Sequence, residues 1–392
     1  MNGALDGLRV LDLTRLLPGG YATLMLADLG ADVVKVEEPG RGDYIRLMPP
    51  FAGSVSSGHA ALNRNKRSLT LNLKTDGGRA VFKEIVPSFD VVVESFRPGV
   101  MDRLGVGWET LRSLHPGLVY CAITGYGQDG PRAGAAGHDI DYVAYGGVLG
   151  ISGARGGRPV VPPVQIGDLA GGAMSAVIAI LAALRKRDAT GEGDLCDVSM
   201  TDGVVSWLTL HSAAYFATGE VPRRGDMHLS GAHPCYRVYP ASDGWLAVGA
   251  LEPQFWAALC DALGRSDLRD DGFATGERGA EVVAEMEALF ATRSRAEWMQ
   301  ELDGVDACVA PVNDLAETFA DEQVAHRGMV VDAPLRDGTP WRHVASPVRL
   351  AGAPRDVTRR PPPDLGEHTD EVLLEAGVAE GRLRELRAAG AV

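Results

Sequence analysis

Along the first half of the chain two kinds of run alternate. Leu8–Leu13 and Asp32–Glu37 are short, largely apolar and bounded by turn residues, the pattern of buried strands. Asp90–Glu94 and Gly117–Ile123 repeat it. Between them, Tyr21–Leu29, entered through Pro18-Gly19-Gly20, and Gly77–Val86 predict helices. Strands alternating with helices predict an α/β fold built on a mostly parallel sheet covered on both faces. Asp168–Arg187 predicts a long helix, with Asp168 at its start, where free amides and the helix dipole favour an acid.

The pattern changes after Gly219. Cys235–Tyr239 and Trp245–Gly249 predict a hairpin around Ser242-Asp243-Gly244. Helices are expected at Pro253–Leu263, Ala280–Thr292 and Arg295–Leu302. From Val344 the chain is rich in proline and arginine, with Pro361-Pro362-Pro363 as an extended spacer and two short helices after His368-Thr369-Asp370. These shifts divide the chain into a large domain, 1–190 and 330–392, a linker helix, 191–224, and a small α+β domain, 225–329. No internal repeat is found.

Composition narrows the class. The 392 residues suffice for two domains, and 45% hydrophobic with 23% charged residues is the balance of a soluble enzyme. A formal charge of −14 argues against a general nucleic-acid or anionic-membrane binder, while leaving room for a local basic pocket. Five scattered cysteines without a CxxC pair predict reduced thiols and a cytoplasmic protein. Met1–Leu13 lacks the pattern of a secretory signal, and the apolar run Leu169–Leu184 is short for a bilayer.

Three candidate chemistries fall away. The first turn, Leu17-Pro18-Gly19-Gly20-Tyr21, does not fit GxGxxG, so a dinucleotide role is not supported. No GxSxG elbow is present. His211, His228 and His233 are too loosely spaced for a zinc site. What remains is Gly137-His138-Asp139-Ile140, Gln165-Ile166-Gly167-Asp168 and the later Glu252. Singly, these residues read as a buried histidine, a helix cap and a surface acid. Together, an imidazole and a carboxylate on opposite sides of one acidic carbon could invert it.

The sequence resembles the family III CoA-transferase (CaiB/BaiF) superfamily, which includes the α-methylacyl-CoA racemases. The resemblance runs nearly end to end. It is carried by Leu8–Leu13, Leu26–Glu37, Asn63-Arg64-Asn65-Lys66-Arg67-Ser68, Phe96-Arg97-Pro98-Gly99-Val100 and Thr124-Gly125-Tyr126-Gly127-Gln128. The histidine of Gly137–Ile140, the glutamate of Gly249–Phe255 and the lack of a glycine run at Leu229–Pro234 incline it toward the racemases. The long segment Pro49–Ala61 resembles the transferases instead, and Glu38, where some racemases place an arginine for CoA, and Ala170, in place of a glycine, depart from the racemase pattern.

The resemblance implies a Rossmann-like large domain, a smaller α+β domain and an interlocked homodimer whose active site is shared between subunits. It implies catalysis by His138 and Asp168, with Glu252 orienting the imidazole and amides around Asp139 stabilising an enolate. Coenzyme A enters as part of the substrate, with no tightly bound cofactor. It is expected along Leu71, Asn72, Leu73 and Lys74; Ser95, Phe96, Arg97 and Arg103; and Gly137, Ile140 and Tyr142. The favoured expectation is inversion at the α-carbon of a 2-methylacyl-CoA. The alternative is CoA transfer to a carboxylic acid, with Asp168 as nucleophile and His138 as a positioning residue. A non-catalytic binding protein of the same fold is the third reading. The acyl group is not legible.

Overall fold

A computed structural model describes residues 3–352, 354 and 356–392. Met1 and Asn2, with which the N-terminal reading begins, and Ala353 and Arg355 of the tail lie outside the described residues. The chain forms two compact units: Met1–Gly147, Pro162–Leu208 and Glu322–Val392 make the larger, Val148–Val161 and Thr209–Asp321 the smaller.

The larger unit is built on six parallel strands, β1 (Arg9–Asp12), β2 (Asp32–Glu37), β3 (Lys66–Thr70), β4 (Val91–Glu94), β5 (Val119–Thr124) and β6 (Leu195–Ser199), in the order β3-β2-β1-β4-β5-β6. The order reverses between β1 and β4, the Rossmann-like switch point. Successive residues of each strand enter opposite cores. Leu11, Val34, Val92 and Tyr120 join one, Val10, Val33, Val91 and Val119 the other. Each fully buried valine or leucine contributes about 1.5–3 kcal/mol.

The four interior strands were legible as apolar runs because they are buried on both faces. The two edge strands were not. β3 reads Lys-Arg-Ser-Leu-Thr, and Lys66 is accommodated, fully buried, only by Asp12 (3.1 Å), the Thr23 hydroxyl (2.7 Å) and the Gly20 carbonyl (3.0 Å). β6, Leu-Cys-Asp-Val-Ser, turns Leu195 and Asp197 outward. It lies near the start of the expected linker helix 191–224. That segment is instead an edge strand followed by helices Met200–Ser206 and Thr209–Thr218, with Leu208 closing one unit and Thr209 opening the other.

Among the helices that follow the strands are α1 (Leu16–Asp28), α2 (Asp76–Ile85), α3 (Asp139–Tyr145) and α4 (Ser175–Thr190). α1 begins five residues before its expected start. Pro18 stands in its first turn, where a missing N–H costs little, and a Cβ on Gly19 would lie 2.2 Å from that of Thr14. α4 is preceded by wider, π-type turns over Ile166–Met174, so Asp168 is not the cap of an ordinary helix; Gln165 precedes the run. The helical stretch Ile166–Thr190 is therefore 25 residues, longer than the apolar run that was read as short for a bilayer, and by length and composition alone it could cross one. It packs on α1, β5 and β6, with Ala173, Ala176 and Ile180 fully buried.

The smaller unit holds the expected hairpin, β7 (Tyr236–Ala241) and β8 (Gly244–Gly249), extended by β9 (Val309–Pro311), with all pairs antiparallel. Helices α5 (Pro253–Ala262), α6 (Gly276–Phe290) and α7 (Arg295–Glu301) close a separate core around Trp256, Tyr239, Phe290 and Trp298. The tail then returns to the large sheet. α8 (Thr369–Glu375) and α9 (Glu380–Ala388) place Val372, Leu373, Leu383 and Leu386 in the same core as Leu11 and Phe82.

Candidate active site

The segment bearing His138 is set by one tyrosine. Tyr142, buried on α3, donates its hydroxyl to the Gly137 carbonyl (2.5 Å) and meets the Tyr126 ring edge-on at 5.3 Å. A Cβ on Gly125 or Gly137 would lie 2.4 or 2.7 Å from the Tyr142 ring, so both positions must be glycine for the ring to seat. His138 precedes α3 with an exposed side chain, and its N–H donates to the Asp141 carboxylate at 3.0 Å. Gly125→Ala is expected to displace Tyr142 and α3 and to lower turnover about 10²-fold with the fold retained. Steady-state kinetics beside circular dichroism checks this, and unchanged turnover would remove Tyr142 from the support of the site.

Asp168 comes to the same place from the π-type segment. Its N–H donates to Asp139 Oδ1 at 2.9 Å, and Gly167 backs closely on Asp139 and Tyr142. Wider turns of this kind are frequent at functional positions. Gly171 and Gly203 let the segment lie backbone to backbone against Met200–Ser206. Burial pushes the Asp168 carboxyl up to about 6, the neighbouring Asp139 carboxylate adds to the rise, and His138 opposes it. His138, Asp139 and Asp168 thus form one electrostatically connected group. Glu252 belongs to the smaller unit, exposed at the residue before α5, where its carbonyl accepts from the N–H groups of Phe255 (3.0 Å) and Trp256 (3.2 Å).

A cavity of about 330 Å³ opens past the carboxyl ends of β1, β2, β3 and β4, where ligands bind in open α/β sheets. Leu71, Asn72, Leu73, Lys74 and Phe96 line it. Of the other residues expected to hold CoA, Ser95 stands behind the lining, its Oγ accepting from the Arg15 N–H at 3.2 Å. Arg97 is exposed and acts electrostatically on Tyr142; Arg103 and Ile140 are also exposed. Arg15, Arg41 and Tyr44 line the cavity without having been singled out from the sequence. Their position just past the ends of β1 and β2 was the available signal.

The chain belongs to CoA-transferase family III, whose profile covers residues 5–369. Among its relatives, the succinyl-CoA:mesaconate CoA-transferase of Haloarcula marismortui is 39% identical over 97% of this chain and 98% of its own. The human alpha-methylacyl-CoA racemase is 35% identical over 98% of this chain and 96% of its own. The crystal structure of a CAIB/BAIF family protein from Brucella suis superposes with a TM-score of 0.84, at 33% identity over 96% of this chain and all of that one.

Proposed function

We propose that this chain is a CoA-transferase, exchanging CoA between a dicarboxylic acyl-CoA such as succinyl-CoA and an acceptor carboxylic acid. The racemase preference drawn from the sequence motifs gives way here. The carrying observation is Asp168, whose ionisation is tuned by burial and by a neighbouring carboxylate. The Haloarcula relative, a transferase by name, supports the reading.

In the reaction, the Asp168 carboxylate attacks the thioester carbonyl, forming a mixed anhydride and releasing the CoA thiolate. The thiolate attacks the Asp168 carbonyl, so that the donor acid leaves as carboxylate and the enzyme carries an aspartyl-CoA thioester. The acceptor carboxylate attacks that thioester and again displaces the thiolate, which then takes the acceptor carbonyl and restores Asp168. No net proton is consumed. CoA enters with the substrate, and no tightly bound cofactor is invoked. His138 and Asp139 position Asp168 and bias its charge.

The nucleophile is the ionised form, so a carboxyl raised to about 6 loses activity on acidification earlier than an ordinary aspartate. We expect kcat/KM for the donor to be level above pH 7 and to fall about tenfold per unit below pH 6. A profile flat down to pH 5 would exclude Asp168 as the ionising nucleophile.

A second reading, inversion of a 2-methylacyl-CoA, is favoured by one observation: His138 acts electrostatically on Asp168. Two assays separate them. Succinyl-CoA with a panel of acids reads transfer by mass spectrometry; 2-methylacyl-CoA in deuterated water without acceptor reads α-exchange. Transfer without exchange, retained in part by His138→Ala, supports the transferase. Exchange abolished by the same substitution supports the racemase.

We take the working form to be a cytoplasmic homodimer. Ile178, on α4, and Trp207 are 69% and 58% exposed, apolar surface suited to burial against a second copy. Sedimentation at micromolar concentration tests this, a monomer being the contrary result.

A further inference from the structure

We propose that Arg15 binds a phosphate of the CoA nucleotide, carried into the cavity past the sheet by a strained turn that Asp43 holds in place; this rests on the acyl-CoA reading above. In nucleotide-binding α/β folds the first helix offers its free amides to phosphate. Here the amides of the turn leading into α1, through that of Leu16, are already taken. The Thr14 N–H donates to Asp12 Oδ1 (2.9 Å), the Arg15 N–H to Ser95 Oγ (3.2 Å), and the Leu16 N–H to both oxygens of Asp43 (3.2 Å each). Two carboxylates and a hydroxyl of the chain itself accept from these three amides.

The same contacts impose the geometry. Leu16 has φ +59°, a left-handed conformation that a leucine adopts only when its surroundings enforce it. Asp43 is the enforcing group. It is buried, 3.0 Å from the equally buried Lys35, and also caps the turn that carries Tyr44 by accepting from the Ile45 N–H (3.1 Å). One carboxylate therefore fixes both Arg15 and Tyr44.

The turn presents a side chain where the backbone is unavailable. The Arg15 guanidinium lies 5.2 Å from the Tyr44 ring centre and 5.4 Å from that of Phe96, and donates to the Tyr44 hydroxyl at 3.1 Å. The other charges of the cavity are accounted for. Glu37 holds Arg46 through both oxygens at 2.7 Å, and Glu38 holds Lys74 at 2.7 Å. Among the described residues, Arg15 and Arg41 are the lining cations on which no carboxylate closes. A guanidinium is a fork matched to phosphate oxygens.

Calorimetric titration of the full-length chain with CoA and with dephospho-CoA tests the assignment, using Arg15→Gln and Arg15→Lys beside the native protein. We expect Arg15→Gln to weaken CoA binding about 10- to 100-fold and to raise the donor KM by the same factor. Turnover at saturation should stay within about twofold, and Arg15→Lys should recover part of the loss. Weakening confined to CoA places the contact on the 3′-phosphate, and equal weakening toward dephospho-CoA places it on the pyrophosphate; either supports the proposal. Native affinity in Arg15→Gln, or a lowered turnover at unchanged KM, overturns it. If the native chain binds neither compound, the acyl-CoA reading itself fails and this inference with it.

Discussion

Asp168→Ala is expected to lower CoA transfer by at least about 10³-fold while CoA binding stays near that of the native protein. The carboxylate is consumed and regenerated in every cycle, and no other side chain in its group can replace it: His138 is exposed and Asp139 is engaged by the Asp168 N–H. Incubated with donor acyl-CoA, the native chain should gain the mass of CoA on the peptide carrying Asp168, and hydroxylamine should convert that adduct to a hydroxamate. Transfer above about a tenth of the native rate in the alanine variant, or an adduct elsewhere, would end the assignment. The same residue should cost stability. Its carboxyl rises from the usual 3.8 to about 6 on folding, so the folded state prefers the proton; the penalty is full above pH 6, is relieved as pH falls from 6 to about 4, and is gone below that. Asp168→Asn, which cannot ionise, should therefore unfold at higher urea than the native chain at pH 8, with the gap closing between pH 6 and pH 4. An equal gap at both ends of that range would mean that burial does not strain the charge.

Asp12→Ala is expected to destabilise the larger unit by about 3–5 kcal/mol, the usual cost of leaving a buried charge without its partner. Asp12, fully buried, accepts from the Thr14 N–H and hydroxyl, from Thr23 (2.6 Å) and from Lys66 (3.1 Å). Burial pushes its carboxyl up, but Lys35, Lys66 and the two hydroxyls outweigh that and hold it at about 2. Lys66 shows the opposite balance: burial drives it down to about 8 in spite of Asp12. Removing Asp12 strands this lysine, whereas Asp12→Leu combined with Lys66→Met removes both charges and should lose less than the sum of the single changes. Urea midpoints of the four proteins decide it. Strict additivity would show that the pair is not coupled.

Much of this architecture could be read from the chain. β2 was placed to the residue, α2 and the hairpin of β7 and β8 within a few residues, and two helices were expected where the tail has them, because each is a local pattern with local boundaries. The misses share one cause. β3 and β6 are edge strands whose polar residues find partners far along the sequence: Arg67 meets Asp32 (2.5 Å) and Glu371 (2.9 Å). No local window contains those partners. The start of α1 was missed because its turn depends on Asp43 and Ser95, 27 and 80 residues from the atoms they hold.

The candidate site divides the same way. Asp168 was singled out as a residue type within a family phrase, and so was His138. The turn type beneath Asp168, and the carboxylate from Asp139 that raises it, come from packing across 29 residues. Arg15 carries no sequence signal by itself; it acquires one from a sheet that reverses its order beside it and from the turn that Asp43 and Ser95 hold. The sequence by itself determined most of the elements, the family and the reactive residue types, since these follow from side-chain chemistry and short-range periodicity. The charge of Asp168, the burial of Lys66 and the aim of Arg15 were decided only by the tertiary structure, because desolvation and Coulomb energies depend on which groups folding brings within a few ångströms.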